Sequence, residues 1–195
     1  MTVIPFIDPS NTKNVVRASF GANSLQSDNQ FSSFPFQAAT AIVYCEGNFG
    51  LIDGKTANGL VRHSEKYQIL SVIDSTQAGL DSGDVLDDEP NGIPIFANLV
   101  EAFASTPTAP KTFIYGMAPA TGMLSPSERK IVLNALGLGM NVVNGLHEFL
   151  NDDPEFAAAC SANNVEIIDV RKPRPKNDLR LFSGAIHNVT CPRIA

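Results

Sequence analysis

The sequence lacks a Lys/Arg cluster able to neutralise a run of phosphates: 14 basic residues face 20 acidic ones, for a net charge of −6. Nucleic acid is thereby excluded as the expected partner. Cysteine is scarce. The three, Cys45, Cys160 and Cys191, are odd in number, far apart and without Cys-x-x-Cys spacing. Neither a disulfide framework nor a zinc site is indicated, no metal is expected, and reduced thiols fit a cytoplasmic setting. Residues 1–13 lack the basic start and the roughly 7–15-residue apolar core of a signal peptide, and no stretch nears the ~20 apolar residues of a membrane span. The Asn188-Val189-Thr190 sequon then reads as accidental. What remains is a 195-residue chain with 44% apolar residues, enough for one domain with a real core and a short appendage.

Residues 1–38 sustain neither a helical nor a strand period and read as an irregular arm, whose Phe20, Phe31, Phe34 and Phe36 point to packing onto something. Residues 39–175 then alternate strand and helix. The continuous apolar run 41–45 is a strand buried on both faces, followed by a helix over 56–64, a strand over 67–73 and a surface loop over 77–91, rich in Gly, Pro and acids. A short third strand at 92–96 leads into a helix over 97–104 and a fourth strand at 112–116. Ser125-Pro126-Ser127-Glu128 places Ser at a helix N-cap, Pro at the first position and Glu three beyond the cap. Strands at 141–144 and 165–170 flank a last helix opened by Asp153-Pro154-Glu155. The pattern predicts an α/β fold: a mostly parallel sheet of about six strands with helices on both faces. Ligands of such sheets bind beyond the carboxyl ends of the strands.

The segments at those ends carry the candidate residues. After strand one, the loop from Glu46 to Thr56 holds Gly47, Gly50 and Gly54 before Lys55 and Thr56. Its spacing fits neither G-x-G-x-x-G nor the P-loop. It either receives an anion or cofactor on free helix N–H groups, or is a plain strand-to-helix turn with an exposed Lys. Asp74 ends strand two, where an acid would meet ribose hydroxyls or serve as an ordinary turn residue. His147 follows strand five and is either a general base at the binding edge or a structural hydrogen-bonder. Arg171, after strand six, would clamp a carboxylate or phosphate, or pair with Asp169 or Asp178. Cys45, within an apolar strand, reads as core.

Taken together, Gly54-Lys55-Thr56-Ala57-x-Gly59-Leu60-Val61, Asp74, Asn91-Gly92-Ile93-Pro94, Gly145-Leu146-His147 and Ile168-Asp169-Val170-Arg171-x-Pro173 resemble the N-terminal Rossmann-like half of the D-glutamate N-acetyltransferase-like family. That family was long catalogued as a domain of unknown function, and its members join this half to a C-terminal P-loop domain. The resemblance covers about residues 40–195 and implies acetyl transfer from acetyl-coenzyme A, as co-substrate, to the amino group of D-glutamate. Residues 192–195 resemble the opening of the P-loop domain's first strand, so 176–195 are expected to be a linker and the start of that domain.

The leading expectation is thus the ligand-binding half of an N-acyltransferase, with the Lys55-Thr56 loop, His147 and Arg171 lining one ligand edge. In it His147 is the base, Lys55 holds a phosphate or carboxylate and Arg171 meets a dicarboxylate; a homo-oligomer is possible. The alternative from another class is a non-catalytic nucleotide- or coenzyme-binding module. An NAD-dependent oxidoreductase is the third reading, opposed by the missing G-x-G-x-x-G and the missing Tyr-x-x-x-Lys pair.

Overall fold

In a computed structural model of the chain, residues 38–178 are described. The arm assigned to 1–38, apart from its last residue, lies outside them, as do Cys191, His187, the 188–190 sequon and the 192–195 segment. The apolar run expected as strand one becomes β1 (Ala39–Tyr44). After it come α1 (Lys55–His63), β2 (Tyr67–Ile73), α2 (Ser82–Asp87), β3 (Ile95–Phe96), α3 (Leu99–Ala104) and β4 (Thr112–Tyr115). The chain continues through α4 (Pro126–Gly137), β5 (Asn141–Asn144), α5 (Pro154–Asn163) and β6 (Ile167–Asp169).

All six strands run parallel in the order β3-β2-β1-β4-β5-β6. Parallel strands flanked by crossovers are buried on both faces, which is why β1 and β4 read as unbroken apolar runs. In register, Val72, Val43, Ile114, Val143 and Ile168 form one row across the sheet. Val43 meets α1: a Cβ on Gly116 would lie 2.7 Å from Val43 Cγ1 and 2.8 Å from Ala57 Cβ. Side chains alternate along a strand, so Tyr44, Phe113 and Tyr115 fall on the other face. Their rings sit 5.9 and 5.7 Å from Tyr44 and run beneath α4.

Helices cover both faces. Right-handed crossovers put α1 and α2 on one side, joined by the Arg62–Asp87 ion pair, and α3, α4 and α5 on the other. Among the described residues no helix covers the α1 face of β4, β5 and β6, and there Ile168 and Val170 are exposed. No helix among the described residues is long and apolar enough to cross a membrane.

The α4 start forms as the sequence indicates. Ser125 accepts the Glu128 N–H, and Glu128 returns the bond to the Ser125 N–H at 2.7 Å. The segment 77–91 departs from expectation, because α2 forms inside it. Asp81 caps that helix, accepting the Gly83 N–H at 2.8 Å and the Asn91 and Gly92 N–H groups ten residues on. Those bonds fold the acidic segment back on itself and bury Ser82 and Gly83. β6 is shorter than the 165–170 run, and β3 keeps only two residues of 92–96.

Candidate functional site

The order of the sheet decides where a ligand can enter. From β1 the chain moves toward β2 and β3, whereas from β4 it moves toward β5 and β6, so the loops leaving β1 and β4 part and open a crevice between them. A cavity of about 340 Å³ lies there, lined by Tyr44, Glu46, Asn48, Asp53, Met117 and Glu128 among others. A second cavity of about 450 Å³ shares Tyr44, Glu46 and Ser127 with it and continues between α3 and α4 over Ile73, Leu99, Val100 and Ile131. Among the described residues, no Lys, Arg or His lines either one.

Three carboxylates therefore set the field of the crevice. Glu46 accepts the Ser75 N–H at 2.9 Å and the Ser75 hydroxyl, which fixes its head against the loop after β2. Glu128 accepts the Tyr115 hydroxyl at 2.6 Å while closing the α4 capping box. Asp53 is exposed, and its carboxylate has no hydrogen-bond or ion-pair partner among the described residues; its backbone carbonyl accepts the Ala118 N–H at 2.9 Å. None of the three pairs with a cation among the described residues.

The Tyr44 side chain is 3% exposed and lines both cavities, and its hydroxyl has no hydrogen-bond partner among the described residues. Burial, then Glu128 and Glu46, push its pKa well above the usual phenol range. Tyr115 is raised by burial and by its bond to Glu128. Both rings hold their protons at neutral pH and act only as neutral donors or acceptors.

The residues expected to share one ligand edge do not converge. Lys55 opens α1 but lines neither cavity. The α1 N-terminus is partly closed by the chain's own carbonyls: Ile52 accepts the Lys55 N–H at 3.3 Å and Gly116 the Ala57 N–H at 3.0 Å. Gly47 and Gly50 hold positive φ angles of 65° and 81°, as turn residues do. Gly54 is required by packing, since a Cβ there would lie 2.1 Å from the Asn48 carbonyl oxygen. Asp74 is fully buried, with its oxygens on Phe49 and Thr76, and cannot reach a ribose.

His147 is exposed and packs on Gly122, whose carbonyl accepts its backbone N–H at 3.0 Å; it lines neither cavity of the crevice. Arg171 is exposed and makes no ion pair among the described residues. Asp169, offered as its partner, instead accepts bonds from Asn144, Leu150 and Asn151. Arg171 and Thr56 do come together, in a groove of about 350 Å³ on the α1 face over Ile114 and Val143. The sheet separates that groove from the acidic crevice.

Sequence reasoning inspected the loop after β1 for its glycines and missed the acids beside them. Glu46 and Asp53 were legible as acids at a strand's carboxyl end, but Glu128 was absorbed by its capping role and Tyr44 by its apolar run.

An open parallel sheet of this order, with a polar crevice at its switch point, defines a Rossmann-like domain. Residues 75–173 match the family described as DUF1611_N, a Rossmann-like domain of unknown function, and the chain belongs to that family. It is 36% identical over 63 residues to a D-glutamate N-acetyltransferase from Tritonibacter scottomollicae, a match covering 32% of this chain and 19% of that one. A D-glutamate N-acetyltransferase from a Pseudoalteromonas species is 35% identical over 63 residues, with the same coverage. The crystal structure of a DUF1611 family protein from Anabaena variabilis ATCC 29413 superposes with a TM-score of 0.67 at 29% identity, covering 80% of this chain and 43% of that one. The matched region thus spans about a fifth of the curated relatives and under half of the solved one.

Proposed function

We propose that this chain is the ligand-binding half of an N-acyltransferase that moves an acetyl group from acetyl-coenzyme A to an amine, with the amine held in the crevice between β1 and β4. The observation that supports the reading is the crevice itself: three carboxylates without a cation partner among the described residues, at the position where open α/β sheets receive ligands. The partial likeness to D-glutamate N-acetyltransferases supports the reaction class.

An ammonium ion entering such a site is stabilised by Glu46, Asp53 and Glu128. To react it must lose a proton, and the unpaired Asp53 carboxylate is available to take it. The neutral amine nitrogen then attacks the thioester carbonyl; as the C–N bond forms and the C–S bond breaks, the second nitrogen proton passes to the departing coenzyme A thiolate, which leaves as the thiol, and Asp53 returns the first proton to solvent. The Tyr44 hydroxyl is a neutral donor able to meet the developing oxyanion. This assignment moves the base from His147 to Asp53. It also leaves Arg171 without contact to the acceptor, because Arg171 lies across the sheet. Among the described residues the crevice offers no cation to the phosphates of coenzyme A, so the reading assigns their binding to groups outside the crevice.

Calorimetric titration with acetyl-coenzyme A and D-glutamate, alongside release of free coenzyme A thiol over a panel of amines, tests the proposal on this chain and on Asp53→Asn. Amine-dependent thiol release lost in Asp53→Asn supports it. Binding without any thiol release favours a non-catalytic module, and saturable NAD binding in its place favours an oxidoreductase.

A further inference from the structure

The two cavities that meet at Tyr44 differ in chemistry. The one at the switch point is ringed by carboxylates, whereas the one between α3 and α4 is walled by Ile73, Leu99, Val100 and Ile131. They share Tyr44, Glu46 and Ser127, so a single molecule can occupy both, and Val100, 73% exposed, lies at the open apolar end. Tyr44, 3% exposed as a residue, lines both cavities at their junction, and its hydroxyl has no protein partner among the described residues, which leaves it free to bond a ligand's polar head.

The carboxylates are not arranged as a metal site, since no group of three or more His, Cys, Asp or Glu among the described residues is placed to hold one ion. They surround a volume instead, which suits an ammonium head with several N–H donors. An anion would be repelled by Glu46, Asp53 and Glu128. A fully polar ligand would leave the α3–α4 wall in contact with water.

We propose that the joined cavities bind a primary amine bearing an apolar substituent, its ammonium among Glu46, Asp53 and Glu128, its nitrogen within reach of the Tyr44 hydroxyl, and its apolar part between α3 and α4. The inference deepens the acyltransferase reading, on which the naming of this ligand as acceptor rests. It also sets this chain's acceptor apart from a dicarboxylic amino acid, whose two negative charges the crevice would repel.

The test uses the whole chain with n-hexylamine, hexan-1-ol, hexanoate and methylamine as probes, followed by calorimetry and by shifts of Tyr44 ring resonances. Hexylamine is expected to bind about tenfold more tightly than hexanol or methylamine, with hexanoate not binding. Asp53→Asn, at an exposed side chain without a partner, is expected to weaken hexylamine severalfold and leave hexanol unchanged. Val100→Asn, also at an exposed position, is expected to weaken hexylamine and leave methylamine unchanged. Equal affinity for hexylamine and hexanol, equal affinity for hexylamine and methylamine, or indifference to Asp53→Asn would each overturn the proposal. The two readings fail separately. Hexylamine binding without acetyl transfer removes the transferase and keeps the amine site, while acetylation of D-glutamate without hexylamine binding removes the apolar amine and keeps the transferase.

Discussion

Asp74 accepts the backbone N–H of Phe49 at 3.0 Å, and both residues are sealed from water. The bond ties the loop leaving β1 to the end of β2, and with it fixes the neighbouring Glu46 and Asp53 at the rim of the crevice. The second Asp74 oxygen holds the Thr76 N–H at 2.9 Å and its hydroxyl at 2.6 Å. Replacing Asp74 by Ala leaves the buried Phe49 N–H unpaired, while the exposed Thr76 donors turn to water, and the expected loss is about 1–3 kcal/mol of stability. Chemical denaturation measures it. Unchanged stability combined with lost ligand binding would return Asp74 to a ligand-binding role.

Two glycines of the same loop are expected to respond differently to alanine. At Gly47, with φ of 65° and open space around it, the cost is backbone strain of about 1 kcal/mol. At Gly54 a Cβ would stand 2.1 Å from the Asn48 oxygen and 2.8 Å from Cys45 Sγ, so the loop must shift, and a loss of about 3 kcal/mol is expected. Urea midpoints of the two variants decide the matter, and equal losses would contradict the packing explanation.

Stability should fall on the alkaline side. Burial, then Asp74 and Glu46, push the Cys45 thiol up to about 12, and burial raises Tyr44 and Tyr115 beyond the usual phenol range. A raised folded pKa means that the unfolded chain loses its proton first. The contribution is therefore complete below the unfolded thiol value of about 8.5 and is lost as pH rises toward the folded value, at about 1.4 kcal/mol per pH unit for Cys45. Melting temperatures from pH 8 to 10.5 should decline, and Cys45→Ala should flatten the first part of that decline. A parallel decline in the variant would remove Cys45 as its cause.

Arg129 clamps α4 to the start of α5. Its guanidinium lies 2.7 Å from Asp153 and 2.6 Å from Glu155, and stands 4.5 Å from the centre of the Phe156 ring. Arg129→Met should lower the melting temperature by roughly 2–4 °C, less so in high salt. The bond from Arg129 holds the Asp153 carboxyl below its ordinary value. The pair's contribution is thus present above the unfolded carboxyl value of about 3.9 and disappears as pH falls through the lower folded value. Arg129→Lys should not restore it, because an ammonium cannot make the planar stack and the fork together.

Legibility followed the range of the interactions. The α4 start was readable because Ser125, Pro126 and Glu128 satisfy each other within one turn, and β1 and β4 because burial on two faces demands unbroken apolar runs. The α2 helix was not readable, since its cap Asp81 is held by the N–H groups of Asn91 and Gly92, and composition alone marked the segment as loop. Asp74 and Arg171 stood at the right strand ends for ligand binding, yet one is consumed inside the fold and the other faces the opposite side of the sheet.

By itself the sequence determined an alternating α/β chain, the helix start at Ser125 and the positions of the strand ends, because propensity, capping and hydrophobic period act over a few residues. Only the tertiary structure decided the sign and shape of the site. Glu46 and Asp53 leave β1 in one loop while Glu128 comes from α4, more than seventy residues on, and they share a crevice only once the loops after β1 and β4 part on either side of the switch point, where charge is summed over space and not along the chain.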